Sequence, residues 1–348
     1  MVIPKSSLQL LLSLFYLWLT LAEGPNVSAQ TVKPYTFEEH HMGTLFKITL
    51  YAESDSVAEL AASNAFQEIE RLNNIMSDYL PESELNQFSQ TSGSGKFVRL
   101  SEPLFEILSQ AQWISYQTGG LFDVTVGAMS KAWRELRSQP VPVLPAPEDL
   151  DALIRRSGYR HLVLRHDTQS GMLEKPGMEL DLGGIAKGYA SARALETVQS
   201  FGISSALIDA GGDITAGNPP PGRTSWSVAV PKPAPAAGGI DLVRLQVNNA
   251  TVATSGGLFQ YIEIDGKRYS HILHPETGLG ADQQIQATVI GSSATKTDAL
   301  ASALTLMDPE EGLRLIGHIL DTEAILFKLV DGEIKEWRSP GADRFLSE

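Results

Sequence analysis

Apolar residues recur three or four positions apart in four stretches of the chain, which is the period of an amphipathic helix. The first stretch places its apolar face at Val57, Leu60, Ala61, Ala65, Ile69, Leu72 and Met76. The second covers residues 102–116, and its inward-facing residues are Leu104, Ile107, Leu108, Ala111 and Ile114. The third begins near Gly184 and carries Ile185, Tyr189, Ala192, Leu195 and Val198. The fourth runs from about Asp298 to Met307.

Short runs of β-forming residues lie between and around these helices. They cover residues 46–51, 205–209, 226–230, 242–247, 260–264, 284–290 and 323–329. Helices and strands are mixed without the regular strand–helix–strand rhythm of a parallel sheet. The pattern therefore predicts an α+β fold.

The N-terminal segment differs from the rest of the chain. Lys5 is the only charge before an apolar run from Leu8 to Ala22, and Val27-Ser28-Ala29 is a small-residue cleavage pattern. This is typical of a secretory signal peptide, because a membrane span needs about 20 apolar residues. We expect residues 1–29 to be removed and the protein to be exported to the periplasm. The alternative is an uncleaved N-terminus that associates with the inner membrane from the periplasmic side.

Composition and charge narrow the function. The 348 residues include 41 acidic and 27 basic side chains, a net charge of −14, which argues against nucleic acid as a partner. The absence of cysteine excludes disulfides, thiolate metal sites, a cysteine nucleophile and a lipid-bearing N-terminal cysteine. With 43% hydrophobic and 20% charged residues, the chain has the composition of an ordinary globular protein.

Two glycine pairs mark candidate ligand sites. Gly183-Gly184 leads into the third helix, where free backbone N–H groups and Lys187, one turn in, are suited to a phosphate. The alternative is a helix start with Asp181 as its cap and the glycines serving tight packing. Gly211-Gly212, between two acids, indicates either a turn or backbone that lines a cofactor pocket.

Two further constellations carry polar chemistry. His271 and His274 are three apart, but Pro275 indicates a turn rather than a metal-binding helix face. His271 is therefore either a catalytic or substrate-contacting residue, or part of a structural turn. Asp298 and Ser302 are four apart on the fourth helix and offer the hard oxygen ligands that suit Mg²⁺. The alternative is that Asp298 interacts only with the helix dipole.

These segments, taken in order, resemble the FAD:protein FMN transferases, the ApbE-like family. The matching stretches are Met42-Gly43-Thr44 and residues 76–88, 120–127, 181–190, 209–213, 253–257, 270–278 and 297–304. The resemblance implies a T-shaped α+β fold in which residues 30–348 form a single ApbE-like domain. It also implies an Mg²⁺-dependent enzyme that cleaves FAD, releases AMP and attaches FMN to a threonine or serine of a flavin-acceptor protein. That acceptor is typically a membrane redox subunit.

The resemblance also assigns site residues. It places FAD contacts at Met42, Tyr79, Leu121, Phe122, Asp123, Asp181, Lys187 and Ile272. It places metal ligands at the carbonyl of Gly184, at Asp298 and at Ser302. The expected catalytic residues are Asp298, Lys187 and His271. The role of His271 is inferred from the chemistry of histidine, which suits it to accept the proton of the target hydroxyl as a general base.

Several positions depart from the family pattern. Ala301 stands where many members have a second aspartate, which should weaken metal binding.

Two other functions remain open on the same scaffold. One is an Mg²⁺-dependent FAD pyrophosphatase that releases FMN and AMP, and the other is a periplasmic flavin-binding protein without turnover.

Overall fold

The computed structural model describes residues 32–233, 240–257 and 261–346, so the expected signal peptide lies outside the described residues. The helices are α1 (Asp55–Met76), α2 (Glu84–Ser89), α3 (Glu102–Gln117), α4 (Gly127–Ser138), α5 (Pro147–Arg155), α6 (Ala186–Ser200), α7 (Ala294–Leu304) and α8 (Pro309–Ile316). The strands are β1 (Lys33–His41), β2 (Thr44–Ala52), β3 (Val98–Arg99), β4 (Leu162–Arg165), β5 (Ser170–Leu173), β6 (Ala206–Ala210), β7 (Asp213–Ala216), β8 (Trp226–Pro233), β9 (Ile240–Val247), β10 (Thr251–Gly256), β11 (Tyr261–Ile264), β12 (Lys267–Ser270), β13 (Ile285–Gly291), β14 (Thr322–Val330) and β15 (Glu333–Arg338). This mixture confirms the α+β class.

The largest sheet has the strand order β1-β2-β6-β7-β10-β13-β14-β15. Its neighbouring strands pair antiparallel, for example with Ile48 opposite Ile208 and Val289 opposite Ala324. Three smaller sheets join β3-β5-β4, β8-β9 and β11-β12. Each run predicted as a strand contributes to one of these sheets, although position 260 lies outside the described residues.

The large sheet is covered on both faces. Successive residues of a strand point to opposite faces, so Val289 and Leu326 join the core formed with the helices. Ile290 and Phe327 point the other way and pack with the β8–β9 pair. Burial on both faces explains why β13 is a continuous run of buried residues.

The predicted core positions were mostly right. All the inward positions predicted on α3 are buried. On α1, however, Val57 is 37% and Leu60 56% exposed, so these two predictions were wrong. Ala58, Ala62 and Phe66 are buried on that helix instead.

The boundary of α7 differs from the prediction. The helix begins at Ala294 rather than near Asp298, with Ser293 at its N-cap position. Asp298 therefore lies in the second turn, beyond the first turn where the helix dipole acts on a carboxylate. An interaction with the dipole does not account for this residue.

A small third core joins α4 to the β11–β12 hairpin. Met129, Trp133 and Leu136 of α4 pack with Ile264 and Tyr269 of the hairpin. The indole N–H of Trp133 also donates to the carbonyl of Gly278 at 2.6 Å, which fixes the turn that follows the hairpin. Among the described residues, no helix combines the length and the apolar character needed to cross a membrane.

Candidate functional site

An open cleft of about 310 Å³ collects most of the residues predicted from the sequence. The predicted residues on its wall are Tyr79, Leu121, Phe122, Asp123, Asp181, Gly184, Lys187, His271, Ile272 and Ser302. Asp298 is not on the wall of the cleft, but its carboxylate contacts the Nζ of Lys187, which is. Met42 lies in the β1–β2 turn and packs against the main core, so the structure does not bring it to the wall of this cleft.

The floor of the cleft is a cluster of one lysine and two carboxylates. The Nζ of Lys187 lies 3.0 Å from Oδ2 of Asp213 and 3.4 Å from Oδ1 of Asp298. The backbone N–H of Gly188 donates to Oδ2 of Asp298 at 3.0 Å. The backbone N–H of Thr254 donates to Asp213 at 3.1 Å. Both carboxylates are thus fixed by the backbone as well as by the lysine.

Burial and neighbouring charges shift the pKa values of Lys187 and Asp298. Burial alone would lower the pKa of Lys187, but Asp298 and Asp213 outweigh it and raise the pKa. Burial raises the pKa of Asp298 to about 6, with Asp213 adding to the rise and Lys187 opposing it. A carboxylate with its pKa so near neutrality is more common at functional sites than elsewhere.

Glycines allow the segments around this cluster to approach closely. A side chain at Gly188 would overlap the carbonyl of Ala294, so glycine lets α6 lie against the first turn of α7. A Cβ at Gly184 would lie 3.3 Å from Oγ of Ser302, which places the Gly184 backbone beside that hydroxyl. The carboxylate of Asp181 accepts from the N–H of Gly183 at 2.7 Å. Asp181 therefore stabilises the glycine turn, whereas Ile185 occupies the N-cap position of α6 without a side-chain cap.

Hard oxygen donors converge beside the cluster. Asp298 and Ser302 lie one turn apart on α7, and Oγ of Ser302 is 3.2 Å from Oγ of Ser255. Across the described ranges, no three His, Asp or Glu side chains are grouped so as to hold a metal ion. Mg²⁺ needs only one or two carboxylates when waters and substrate phosphates complete its octahedron, so this donor set fits Mg²⁺. Ala301 is fully buried in the core and offers no additional ligand.

Asp123 is a buried residue that organises its own loop. Its Oδ1 accepts from the N–H and the hydroxyl of Thr125, and its Oδ2 accepts from the N–H of Tyr159 at 2.8 Å. Burial raises the pKa of Asp123 against these hydrogen bonds. Both carboxylate oxygens are thus engaged within the protein, and these contacts are those of a loop-stabilising residue on the cleft wall.

The two histidines of the turn after β12 are in different environments. His271 is exposed and lies on the cleft wall, next to Ile272, whose N–H donates to Oγ of Ser270 at 3.1 Å. His274 instead accepts from the N–H of Glu276 at 3.3 Å within the turn. Only His271 is therefore placed to meet a ligand in the cleft.

Several residues of the site received no individual role from the sequence. Asp213 and Ser255 were noticed only as parts of glycine motifs, and Asp78 only as part of a family motif. Arg134, on α4, was missed altogether, although it lies on the cleft wall with Arg137. The spacing of these two arginines, three apart on one helix, was a signal that they share a face.

Comparison with known proteins agrees with this geometry. A family model described as the ApbE family matches residues 42–326. The FAD:protein FMN transferase of Vibrio cholerae serotype O1 is 30% identical over 313 residues, which cover 88% of this chain and 91% of the relative. The FAD:protein FMN transferase of Escherichia coli K12 is 28% identical over 276 residues, or 78% of each chain.

Solved structures give the same result. The flavin transferase ApbE from Vibrio cholerae superposes with a TM-score of 0.82 at 26% identity, covering 90% of this chain and 100% of that chain. The fold and the cleft define an α+β protein with an open cleft beside the start of α6, over a buried acid–lysine cluster. The chain belongs to the ApbE family.

Proposed function

We propose that this protein is an FAD:protein FMN transferase. It cleaves the pyrophosphate of FAD and attaches FMN to a threonine or serine hydroxyl of an acceptor protein. The hydroxyl oxygen forms a new bond to the FMN phosphorus, the bond to the bridging oxygen breaks, and AMP departs with that oxygen. The observation that carries this proposal is that Lys187 and Ser302 line one cleft of an ApbE-family chain, with Asp298 in direct contact with Lys187.

We propose that the metal is Mg²⁺, held by Asp298, Ser302 and the carbonyl of Gly184. The hard oxygen donors and the small number of carboxylates support this choice. Bound Mg²⁺ would supply positive charge to the phosphate oxygens of the substrate.

The remaining roles belong to the protein's own side chains. Phosphoryl transfer needs alignment and charge stabilisation more than a strong nucleophile, so the rigidly held cluster suits it. Lys187 contacts both Asp213 and Asp298 and holds them in place at the cleft floor. His271, exposed on the cleft wall, accepts the proton of the target hydroxyl, and the ring of Tyr79 stacks on a flat ring of FAD.

The decisive experiment incubates the protein with FAD, Mg²⁺ and an acceptor domain. Covalent flavin fluorescence on the acceptor, with a mass gain of one FMN-phosphoester, is the expected result. Free FMN with an unlabelled acceptor would instead identify a pyrophosphatase in which water replaces the hydroxyl. Binding of FAD without release of AMP would identify a flavin-binding protein.

The base assignment has a matched control within the same turn. His271→Ala should lower the rate of transfer by about 10²- to 10⁴-fold, as expected for loss of a general base. His274→Ala removes the other histidine of the turn, which does not lie on the cleft wall, and should leave the rate close to that of the wild type. Equal rates for both variants and the wild type would refute the role of His271.

We further propose that the protein acts after export, in the periplasm, on a membrane redox subunit. The charge and cleavage pattern of residues 1–29 supports export. Cell fractionation and N-terminal mass determination of the mature protein test this. A mature protein that begins after Ala29 in the periplasmic fraction is expected, and a membrane fraction that retains residues 1–29 would instead indicate an anchor.

A further inference from the structure

One arginine of α4, Arg134, contacts two consecutive residues that line the cleft with it. The Nη2 of Arg134 lies 2.6 Å from Oδ2 of Asp78, and its guanidinium carbon lies 4.3 Å from the centroid of the Tyr79 ring. The Asp78 side chain is 8% and that of Arg134 29% exposed, so this ion pair is largely removed from water. Tyr79 itself is 72% exposed. Arg134 therefore supports one face of a ring that is otherwise open to the cleft.

The backbone beneath this ring is fixed independently. The side-chain amide of Asn86 donates to the carbonyls of Ser77, Asp78 and Leu80, at 3.4, 3.1 and 2.8 Å. The N–H of Tyr79 also donates to Oγ of Ser77 at 3.2 Å. Since the loop is held from below, the remaining freedom of Tyr79 is mainly that of its side chain, and this is the part that Arg134 contacts.

The surroundings of Asp78 disfavour its ionised form. Burial and the nearby carboxylate of Asp181 raise the pKa of Asp78, and Arg134 acts in the opposite direction. Oδ2 of Asp78 has no well-aligned hydrogen bond despite its short contact with Arg134, so the contact is an ion pair rather than a directed hydrogen bond. A buried acid of this kind is unfavourable in a cleft that takes an anionic substrate, unless it has another role. Orienting the guanidinium is such a role.

We propose that the Asp78–Arg134 pair positions the ring of Tyr79 and thereby sets the affinity of the cleft for FAD. This inference rests on the proposed function, since it concerns the same substrate. A ring already held by a cation on one face loses less freedom when a flat ligand stacks on the other face. Arg134 is thus a positioning residue that acts through Tyr79.

The test measures KM and kcat for FAD with the full chain, Mg²⁺ and an acceptor domain. Arg134→Met should raise KM about tenfold, with kcat changed less than about twofold, because it weakens binding and leaves the cleft floor intact. Arg134→Lys keeps the charge but loses the planar guanidinium, so its KM should be intermediate. Arg165→Met is the matched control, because Arg165 lies 3.6 Å over the ring of Phe97 and is not on the cleft wall.

A double-mutant cycle separates positioning from charge. If Arg134 acts through Tyr79, Arg134→Met should raise KM less than about twofold in a Tyr79→Leu background. An equal rise in both backgrounds would overturn the proposal. A rise of the same size in Arg137→Gln would also overturn it, because Arg137 is a cleft-wall arginine that forms no ion pair within the described part of the chain. An Asp78→Asn variant with tighter FAD binding would also overturn it, since the acid would then only repel the substrate.

A double variant and a direct binding measurement test the same role if the single variant does not fold or the protein does not turn over FAD. If Arg134→Met does not fold because Asp78 is left unpaired, Asp78→Asn/Arg134→Met removes both charges, and the same tenfold rise in KM is expected. If the wild type binds FAD but does not turn it over, the proposed function fails, and the positioning role is then read from the dissociation constant of FAD by flavin fluorescence. An unchanged dissociation constant in Arg134→Met would refute it in that case as well.

Discussion

Replacing Lys187 by methionine tests whether this lysine stabilises the two carboxylates at the cleft floor. The variant leaves Asp213 and Asp298 close together without their shared cation. Removal of one partner from a buried ion pair typically costs about 3–5 kcal/mol. Because the Lys187 side chain is 26% and that of Asp213 12% exposed, solvent offsets part of this cost. We expect the free energy of unfolding of the metal-free protein to fall by about 2–3 kcal/mol at pH 7.

The size of this loss should depend on pH in a defined direction. The pKa of Asp298, about 6 in the folded wild type, lies above the ordinary aspartate value of 3.8, so the folded state binds more protons than the unfolded state between these values. The contribution of this carboxyl to stability therefore falls as pH rises through that window. Without Lys187, which opposes the rise, the pKa of Asp298 should increase further. At pH 5 the carboxyl is protonated in both proteins, so the loss should shrink by about 1 kcal/mol.

Urea unfolding at pH 7 and pH 5, followed by circular dichroism, measures both quantities. Lys296→Met is the control, since Lys296 is a partly buried lysine of α7 that lies 4.5 Å from the Trp113 ring rather than between acids. Its loss should be small and independent of pH. A Lys187→Met loss below about 0.5 kcal/mol, or one equal at both pH values, would refute the view that this lysine balances two buried carboxylates.

Two other changes should follow from the same region. Metal binding requires ionised Asp298, so the apparent Mg²⁺ affinity should be constant above pH 7 and fall about tenfold per pH unit below about 6. Isothermal titration calorimetry from pH 5 to 8 measures this affinity. The variant Asp298→Asn should lose both the binding and its pH dependence. Gly188→Ala should destabilise the protein by about 3 kcal/mol through overlap with the carbonyl of Ala294. The control is Gly317→Ala, which should leave the melting temperature almost unchanged, because a Cβ there would make only ordinary contacts at 3.5 and 3.6 Å. Equal melting temperatures for the two alanine variants would contradict the packing argument.

The sequence was most informative where hydrophobicity and burial coincide. The helical spacing located α3 and its buried face, because large apolar residues fill that face. It failed at Val57 and Leu60 because the buried face of α1, which packs against α6, includes small residues such as Ala58 and Ala62. A hydrophobicity pattern ranks these below valine and leucine. It also gave no signal for β1, an edge strand whose side chains are mostly exposed.

The candidate site shows a different limit. Local motifs identified most of the residues that line the cleft, since glycine pairs and short polar runs are visible within a few positions. Pairing is not local: Lys187 and Asp298 are 111 positions apart in the chain and meet only because α6 and α7 pack together. Arg134 and Asp78 likewise come from separate segments. For this reason the partners of the predicted residues, Asp213 above all, emerged only from the fold.

That pairing changes the role expected for Lys187. From the sequence, this lysine was expected to neutralise a phosphate directly, but in the structure its charge is already shared by Asp213 and Asp298. One cation between two carboxylates leaves a net negative charge at the cleft floor, in a chain whose overall charge is −14. A pyrophosphate would be repelled there unless a divalent cation entered with it. The affinities for FAD and for the metal must then rise together, because each ligand supplies the charge that the other lacks.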